Sequence, residues 1–360
     1  MSLRPAPARE PSASYVLPLS APAPAAELTA YLHALSAHVE VIVVDGSPPE
    51  VFAAHHSWWE PAVRHVPPDW TSPMGKVSGV LTGLRLASCE RVVVADDDVR
   101  HTPQTLRRVV ALLDDAEVVR PQNAFRPMPW HALLDTGRTL LNRCAGGDWP
   151  GTLAVRRSAL PCGYADDVLF ENLELVRTVV AGGGRQHLAL DLIVPRLPPT
   201  LRHYRSQRVR QAYDELARPW RMALALAVLP GLWTARLRPQ RVAAAAAAVS
   251  ALAEMGRRRA GGRAAYPAAA ALLAPLWVLE RGVTAWIALG CRLRGGVRYR
   301  QVRLRRAATP LRELRRGATC WSGRPDSNRR PPAPKAGALP GCATSRGHEV
   351  LECPEDPEPA

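Results

Sequence analysis

Two runs of branched apolar residues, Val39 to Val44 (Val-Glu-Val-Ile-Val-Val) and Arg91 to Ala95 (Arg-Val-Val-Val-Ala), each stop abruptly at aspartate. The first ends in Asp45-Gly46-Ser47 and the second in Asp96-Asp97-Asp98. Short unbroken apolar runs of this kind read as strands buried on both faces, as in a parallel sheet covered by helices. Burying three like charges together costs several kcal/mol per ion, so the triplet is expected at the exposed C-terminal end of its strand. In open α/β sheets that is where ligands bind. Carboxylates at alternate positions, Asp96 and Asp98, can hold a divalent cation that also grips phosphate oxygens. The plain alternative is a solvated turn, or an N-cap for a helix beginning near Thr102-Pro103.

The surrounding chain supports a site. Ser14 to Leu19 and Val63 to Val66 read as further strands, with helical stretches at Ala25 to Ser36 and Gly75 to Ala87. The second helix puts Val77, Val80, Leu81 and Leu84 at helical spacing. The expected fold class is therefore α/β, a mostly parallel sheet flanked by helices. Of forty-seven basic residues only Lys76 and Lys335 are lysines. A compact ammonium suits phosphate where a planar guanidinium fits less well, so Lys76 is a candidate nucleotide contact; an ordinary surface lysine at a helix start is the alternative.

Tyr15-Val16-Leu17-Pro18, Val41-Ile42-Val43-Val44-Asp45-Gly46-Ser47, Gly75-Lys76 and Val94-Ala95-Asp96-Asp97-Asp98 together resemble, in order and spacing, a family 2 glycosyltransferase. The resemblance covers roughly residues 13 to 220. It implies the GT-A nucleotide-diphospho-sugar transferase fold and an inverting hexosyltransferase using a nucleoside-diphosphate sugar donor, a hydroxyl acceptor, and Mg²⁺ or Mn²⁺. By that resemblance Asp45 contacts the nucleotide, while Asp96 and Asp98 bind metal and diphosphate. Gly163 to Leu175 (Gly-Tyr-Ala-Asp-Asp-Val-Leu-Phe-Glu-Asn-Leu-Glu-Leu) resembles the family's acidic segment, usually Glu-Asp at its centre, whose second residue is the general base. Here that position is Asn172, and an amide cannot take a proton. The base is then expected to be Glu171, with Asp167 the runner-up; a carboxylate near its ordinary pKa is a weak base unless burial raises it. Glu174 is expected to be a solvated helix residue. Arg205 to Gln211 resembles the Q-x-x-R-W signature of membrane-bound members, with Gln207 and Arg210 matching and Gln211 in place of Trp. The resemblance puts this segment near the donor diphosphate or the acceptor, and an Arg fork suits phosphate; an exposed basic helix is the alternative.

Beyond residue 218, Met222 to Trp233, Val242 to Ala253 and Ala264 to Leu289 are rich in Ala, Leu and Val and flanked by arginine. The first two are shorter than the roughly 20 residues a span needs. Basic loops on every side do not fit alternating topology. A membrane-associated helical region over 219–295 is expected, the third run spanning and the others forming a hairpin or interfacial helices; a soluble Ala-rich helical domain is the alternative. A basic segment follows at 296–320. The net charge of +15 then suits an anionic leaflet or a lipid-linked, cell-envelope acceptor. Nucleic acid is not an expected partner, because no helix-turn-helix, zinc or RNP pattern accompanies the charge. Seven scattered cysteines without C-x-x-C point away from zinc or a disulfide framework and toward a catalytic domain on the cytoplasmic side of the cell membrane.

Residues 1–12 read as a disordered leader, with no apolar core of a signal peptide. The Pro- and Arg-dense tail, 321–360, is expected to be disordered. It resembles the conceptual translation of a tRNA gene read on its antisense strand, so Lys335 needs no function. Two other classes remain alongside the transferase (13–218): a GT-A sugar-phosphate nucleotidyltransferase, although Ser20-Ala21-Pro22-Ala23-Pro24 lacks the usual Gly- and Arg-rich loop, and a catalytically inactive partner or scaffold.

Overall fold

Valine-rich runs with Cβ atoms on alternate sides build the centre of the molecule. In the computed structural model, which describes residues 12–69, 72–299 and 302–321, seven of them form one sheet. They are β1 (Ser14–Leu19), β2 (Glu40–Asp45), β3 (Arg64–Val66), β4 (Arg91–Ala95), β5 (Val118–Phe125), β6 (Thr152–Arg156) and β7 (Gln186–Arg196), in the order β3-β2-β1-β4-β6-β5-β7. Neighbours are parallel except around β6, which runs antiparallel to both β4 and β5. The expected leader apart from its last residue, and the expected tail apart from its first, lie outside the described residues.

The helices are α1 (Ala26–Ser36), α2 (Pro49–Trp59), α3 (Gly75–Leu86), α4 (Pro103–Ala111), α5 (Trp130–Cys144), α6 (Glu171–Ala181), α7 (Leu201–Tyr213), α8 (Pro219–Ala235), α9 (Pro239–Arg258), α10 (Ala268–Leu293) and α11 (Leu311–Trp321). Pro103 sits in the first turn of α4 behind Thr102, whose hydroxyl accepts from the Thr105 amide in a capping box. The sheet is covered on both faces. Val16, Ile42, Val44, Val92 and Val94 face α3 and α6, while Tyr15, Leu17, Val41, Val43 and Val93 face α1 and α4. The alternation of strand residues between two cores is why these runs are apolar without interruption.

Two glycines set how near α3 comes to the sheet. A Cβ at Gly83 would lie 2.2 Å from Val16 Cγ1, and one at Gly79 would lie 2.8 Å from Pro18 Cβ. The three arginine-flanked apolar runs are helices, and α10 packs against α5, α7, α8 and α9. Small residues allow this: Gly137 of α5 meets Ala274 of α10, and Gly282 of α10 meets Val228 of α8. One flank of α10 is buried, including Ala270, Ala274, Trp277, Arg281 and Ala285. The other exposes Leu272, Leu276, Leu279, Val283, Trp286 and Ile287, beside exposed Trp220, Leu224 and Trp233 of α8. Among the described residues α10 is the helix long and apolar enough to cross a membrane.

Candidate active site

The strand order reverses beside β1, between β2 and β4, and this opens a crevice at the strand C-termini. Asp96 follows β4 directly. Its amide donates to Gly151 O (2.8 Å), and its carbonyl accepts from the Val99 amide (3.1 Å), closing a turn that presents Asp96 and Asp98 on the crevice. Gly151 is required by close approach: a Cβ there would stand 2.7 Å from Asp96 Oδ2.

Two cations hold three of the carboxylates. Lys76, at the start of α3, places Nζ 2.5 Å from Asp96 Oδ1 and 2.7 Å from Glu171 Oε1. Arg196, at the end of β7, donates from Nε to both oxygens of Asp98 at 2.9 Å and from Nη2 to Asp96 Oδ2 at 3.3 Å. Burial alone would lower the Lys76 pKa, but Asp96 and Glu171 outweigh it and raise it. Burial dominates at Asp98 and raises its carboxyl above the ordinary value in spite of Arg196. Asp96, Asp98 and Glu171 against Lys76 and Arg196 leave one negative charge in excess. The donors at Asp96 and Asp98 are hard oxygens on one short turn. That chemistry fits Mg²⁺ or Mn²⁺.

Glu171 is the first residue of α6, which turns it into the crevice. Asn172 points elsewhere: its Nδ2 donates to Pro150 O at 3.0 Å. Asp167 is exposed in the preceding turn and, among the described residues, makes no hydrogen bond or ion pair with this cluster. Glu174 is corrected: it is fully buried, not solvated, because the 305–309 segment covers α6 and the Thr309 amide donates to Glu174 Oε2 at 2.7 Å. Burial raises its carboxyl.

Asp45 is not brought into the Asp96–Glu171 cluster. Its side chain is fully buried, Oδ1 accepts from the Ser47 amide (2.9 Å), and Oδ2 meets His55 Nδ1 (2.6 Å) and His65 Nε2 (3.1 Å). Burial alone would raise its pKa, but hydrogen bonds from His65, Ser47 and His55 hold it at about 2. Asp45, His55 and His65 carry ligand atoms within 4.8 Å of one another, the spacing of a metal trio. The Ala25 amide, however, donates to His55 Nε2 at 2.9 Å, so Nδ1 carries the ring proton and gives it to Asp45. The trio is satisfied without a metal, as a hydrogen-bonded strut between β2, α2 and β3.

Gln207 and Arg210 lie on α7. Gln207 Nε2 donates to His203 Nε2 at 2.6 Å. The Arg210 guanidinium stacks 4.5 Å over the Tyr299 ring, with its Nε unpartnered. Neither ion-pairs with the acidic cluster. Two further groups carry no mark in the sequence. Arg196 completes the charge set, and Asp214, just after α7, has a buried Oδ1 without a partner. Burial, followed by the charge of Glu171, raises the Asp214 carboxyl to about 7.

A search of the curated proteins gives no significant match. Among solved structures, the chain is similar to a mannosyltransferase from Pyrobaculum calidifontis in complex with GDP-Man and Mn²⁺, at 22% identity and TM-score 0.49, over 79% of this chain and 89% of that one. It is also similar to glucosyl-3-phosphoglycerate synthase from Mycobacterium tuberculosis, at 19% identity and TM-score 0.39, over 54% of this chain and 75% of that one. Residues 25–132 match the family model described as Glycosyl transferase family 2. The matched stretch carries Asp45, Lys76, Asp96 and Asp98.

Proposed function

We propose that this protein transfers a sugar from a nucleoside-diphosphate sugar to a hydroxyl acceptor, with inversion at the anomeric carbon. The observation that carries the reading is the meeting of Lys76, Asp96, Asp98, Glu171 and Arg196, from four separate chain segments, in one crevice inside or beside the matched domain. Mg²⁺ or Mn²⁺ held by Asp96 and Asp98 would supply positive charge to the donor's diphosphate oxygens. Lys76 and Arg196 now neutralise carboxylates, and are placed to turn the same charges toward a diphosphate as it departs.

Glu171, at the crevice wall, takes the proton of the attacking hydroxyl. The acceptor oxygen bonds to the anomeric carbon while the bond to the diphosphate oxygen breaks, and the nucleoside diphosphate leaves with the electron pair. The transition state is oxocarbenium-like. Asp45 acts through the strut beneath the nucleotide side of the crevice, and Gln207 and Arg210 on α7 serve the diphosphate or acceptor side. Exposed apolar residues of α8 and α10 beside arginines support docking of the chain on the cytoplasmic face of the cell membrane, with a lipid-linked hydroxyl as candidate acceptor.

The test is thermal unfolding of the purified full chain with Mn²⁺ and UDP or GDP, together with release of nucleoside diphosphate from the matching sugar donors. A ligand at about 100 times its dissociation constant stabilises by roughly 2.7 kcal/mol. A shift with one nucleotide, dependent on Mn²⁺ and lost in Asp96→Asn and Asp98→Asn, is expected, with Glu171→Gln keeping the shift and losing turnover. Folded protein that shifts with no nucleoside diphosphate overturns the reading.

A further inference from the structure

A cavity of about 230 Å³ lies between α5, α8 and α10, walled by Leu141, Ala145, Leu224, Ala225 and Val228, with Glu215 and Arg221 also on its lining. Arg281, from the middle of α10, lines it and is only 4% exposed, yet its Nε and Nη1 have no hydrogen-bond partner. Trp277, one turn earlier and also lining the cavity, is 5% exposed with its indole Nε1 likewise unpartnered. The Arg281 guanidinium stands 5.0 Å from the Trp277 ring centroid. Three donor nitrogens, two of them on a group that stays protonated, thus line a mostly apolar cavity without a hydrogen-bond partner among the described residues.

The nearby carboxylates do not supply the missing acceptor. Glu215 Oε2 lies 2.9 Å from Arg218 and 3.1 Å from Arg221, and Glu280 gives Oε2 to Arg208 and keeps Oε1 unpartnered, while Arg281 Nε and Nη1 bond to neither carboxylate. A buried guanidinium without partners is costly, and an anion is the ligand that relieves it. The walls accept hydrocarbon, and the cavity's edge continues into exposed apolar surface at Trp220 and Leu224, 62% and 63% exposed. Further along, the end of α8, the turn after it and the start of α9 expose Trp233 and Leu237 among Arg236, Arg238 and Arg241, the mixture of an interfacial membrane contact.

We infer that this cavity binds an anionic membrane lipid, its acidic headgroup on Arg281 and Trp277 and its chain against the α5–α8 wall and out past Leu224. None of these residues belongs to the Asp96–Glu171 crevice, so the inference stands or falls apart from the transferase reading.

The experiment is calorimetric titration of the full chain with dioctanoyl phosphatidylglycerol below its micelle concentration, beside dioctanoyl phosphatidylcholine and inorganic phosphate. Saturable binding of phosphatidylglycerol is expected, at least tenfold tighter than either comparison. Arg281→Met should abolish that preference and Arg281→Lys should keep part of it. Leu224→Glu, on an exposed position that leaves folding unaffected, should weaken phosphatidylglycerol binding at least fivefold and decides the matter if Arg281→Met does not fold. Equal binding of the two lipids, phosphate binding as tightly as phosphatidylglycerol, or indifference to Leu224→Glu would each overturn the inference.

Discussion

Lys76 Nζ lies 2.7 Å from Glu171 Oε1 although ninety-five residues separate them in the chain, and the same ammonium reaches Asp96. One lysine therefore ties the start of α3 to the start of α6 across the crevice, standing where positive charge is needed.

Removing that charge has a specific signature. Lys76→Met leaves Asp96 and Glu171 facing each other, so a divalent cation recovers more stability in the variant than in the parent. We expect the Mn²⁺-induced rise in Tm to be larger by about 1–2 °C, equivalent to roughly 1 kcal/mol for a protein of this size. Equal shifts in parent and variant, measured by calorimetry, would show that metal and Lys76 do not serve the same carboxylates.

Asp45 predicts an acid limb. Its pKa is about 2 in the folded protein against an ordinary 3.8, so the unfolded chain takes up the proton first as pH falls. The stabilisation is complete above 3.8 and is lost as pH falls from 3.8 through 2. At 1.36 kcal/mol per unit it amounts to roughly 2 kcal/mol. Asp45→Asn should be less stable by about that amount at pH 7 and should lack this part of the acid slope, as read by urea unfolding between pH 2 and 7.

A carboxylate at position 172 should harm the protein. Asn172→Asp replaces a donor to Pro150 O with an acceptor facing an acceptor, and the expected cost is about 1–3 kcal/mol. No gain in donor turnover should accompany it. A stable variant with raised turnover would move the proton-accepting role from Glu171 to position 172.

Much of this was legible because strand runs and helix starts are local signals. The predicted strand Val39–Val44 is observed at Glu40–Asp45, and the predicted helix Gly75–Ala87 at Gly75–Leu86. Lys76, Asp96 and Glu171 carried their own marks, through the rarity of lysine and the acidic clusters. Arg196 carried none: in so arginine-rich a chain, Val-Pro-Arg-Leu-Pro-Pro looks like any edge of a strand, and its partner Asp98 is ninety-eight positions away. Glu174 failed for a related reason. An acidic residue beside other acidic residues reads as solvated unless the chain that covers it, here the Thr309 amide 135 positions on, is already in place. Asp45 shows a third limit, since the two histidines that occupy it come from separate elements.

Helix contact without side chains predicts unequal responses to one added methyl. At Gly256 of α9 a Cβ would lie 1.9 Å from Leu140 O and 2.9 Å from Cys144 N of α5, backbone that cannot swing aside. Gly256→Ala should cost about 3 kcal/mol. Gly231, inside α8 with open space around it, should instead gain about 0.5–1 kcal/mol as alanine. Thermal unfolding of the two variants side by side reads the difference.

The bare stretch of α3 over Val16 and Pro18 has a consequence for the crevice itself. Gly79 and Gly83 make α3 a lever resting directly on β1, and Lys76 is the tip of its short arm. A methyl added at either glycine would raise the fulcrum by whatever distance Val16 or Pro18 cannot yield, and would draw the ammonium away from Asp96 and Glu171 together. The electrical balance of the site is thus gauged by the thickness of two residues that never touch it.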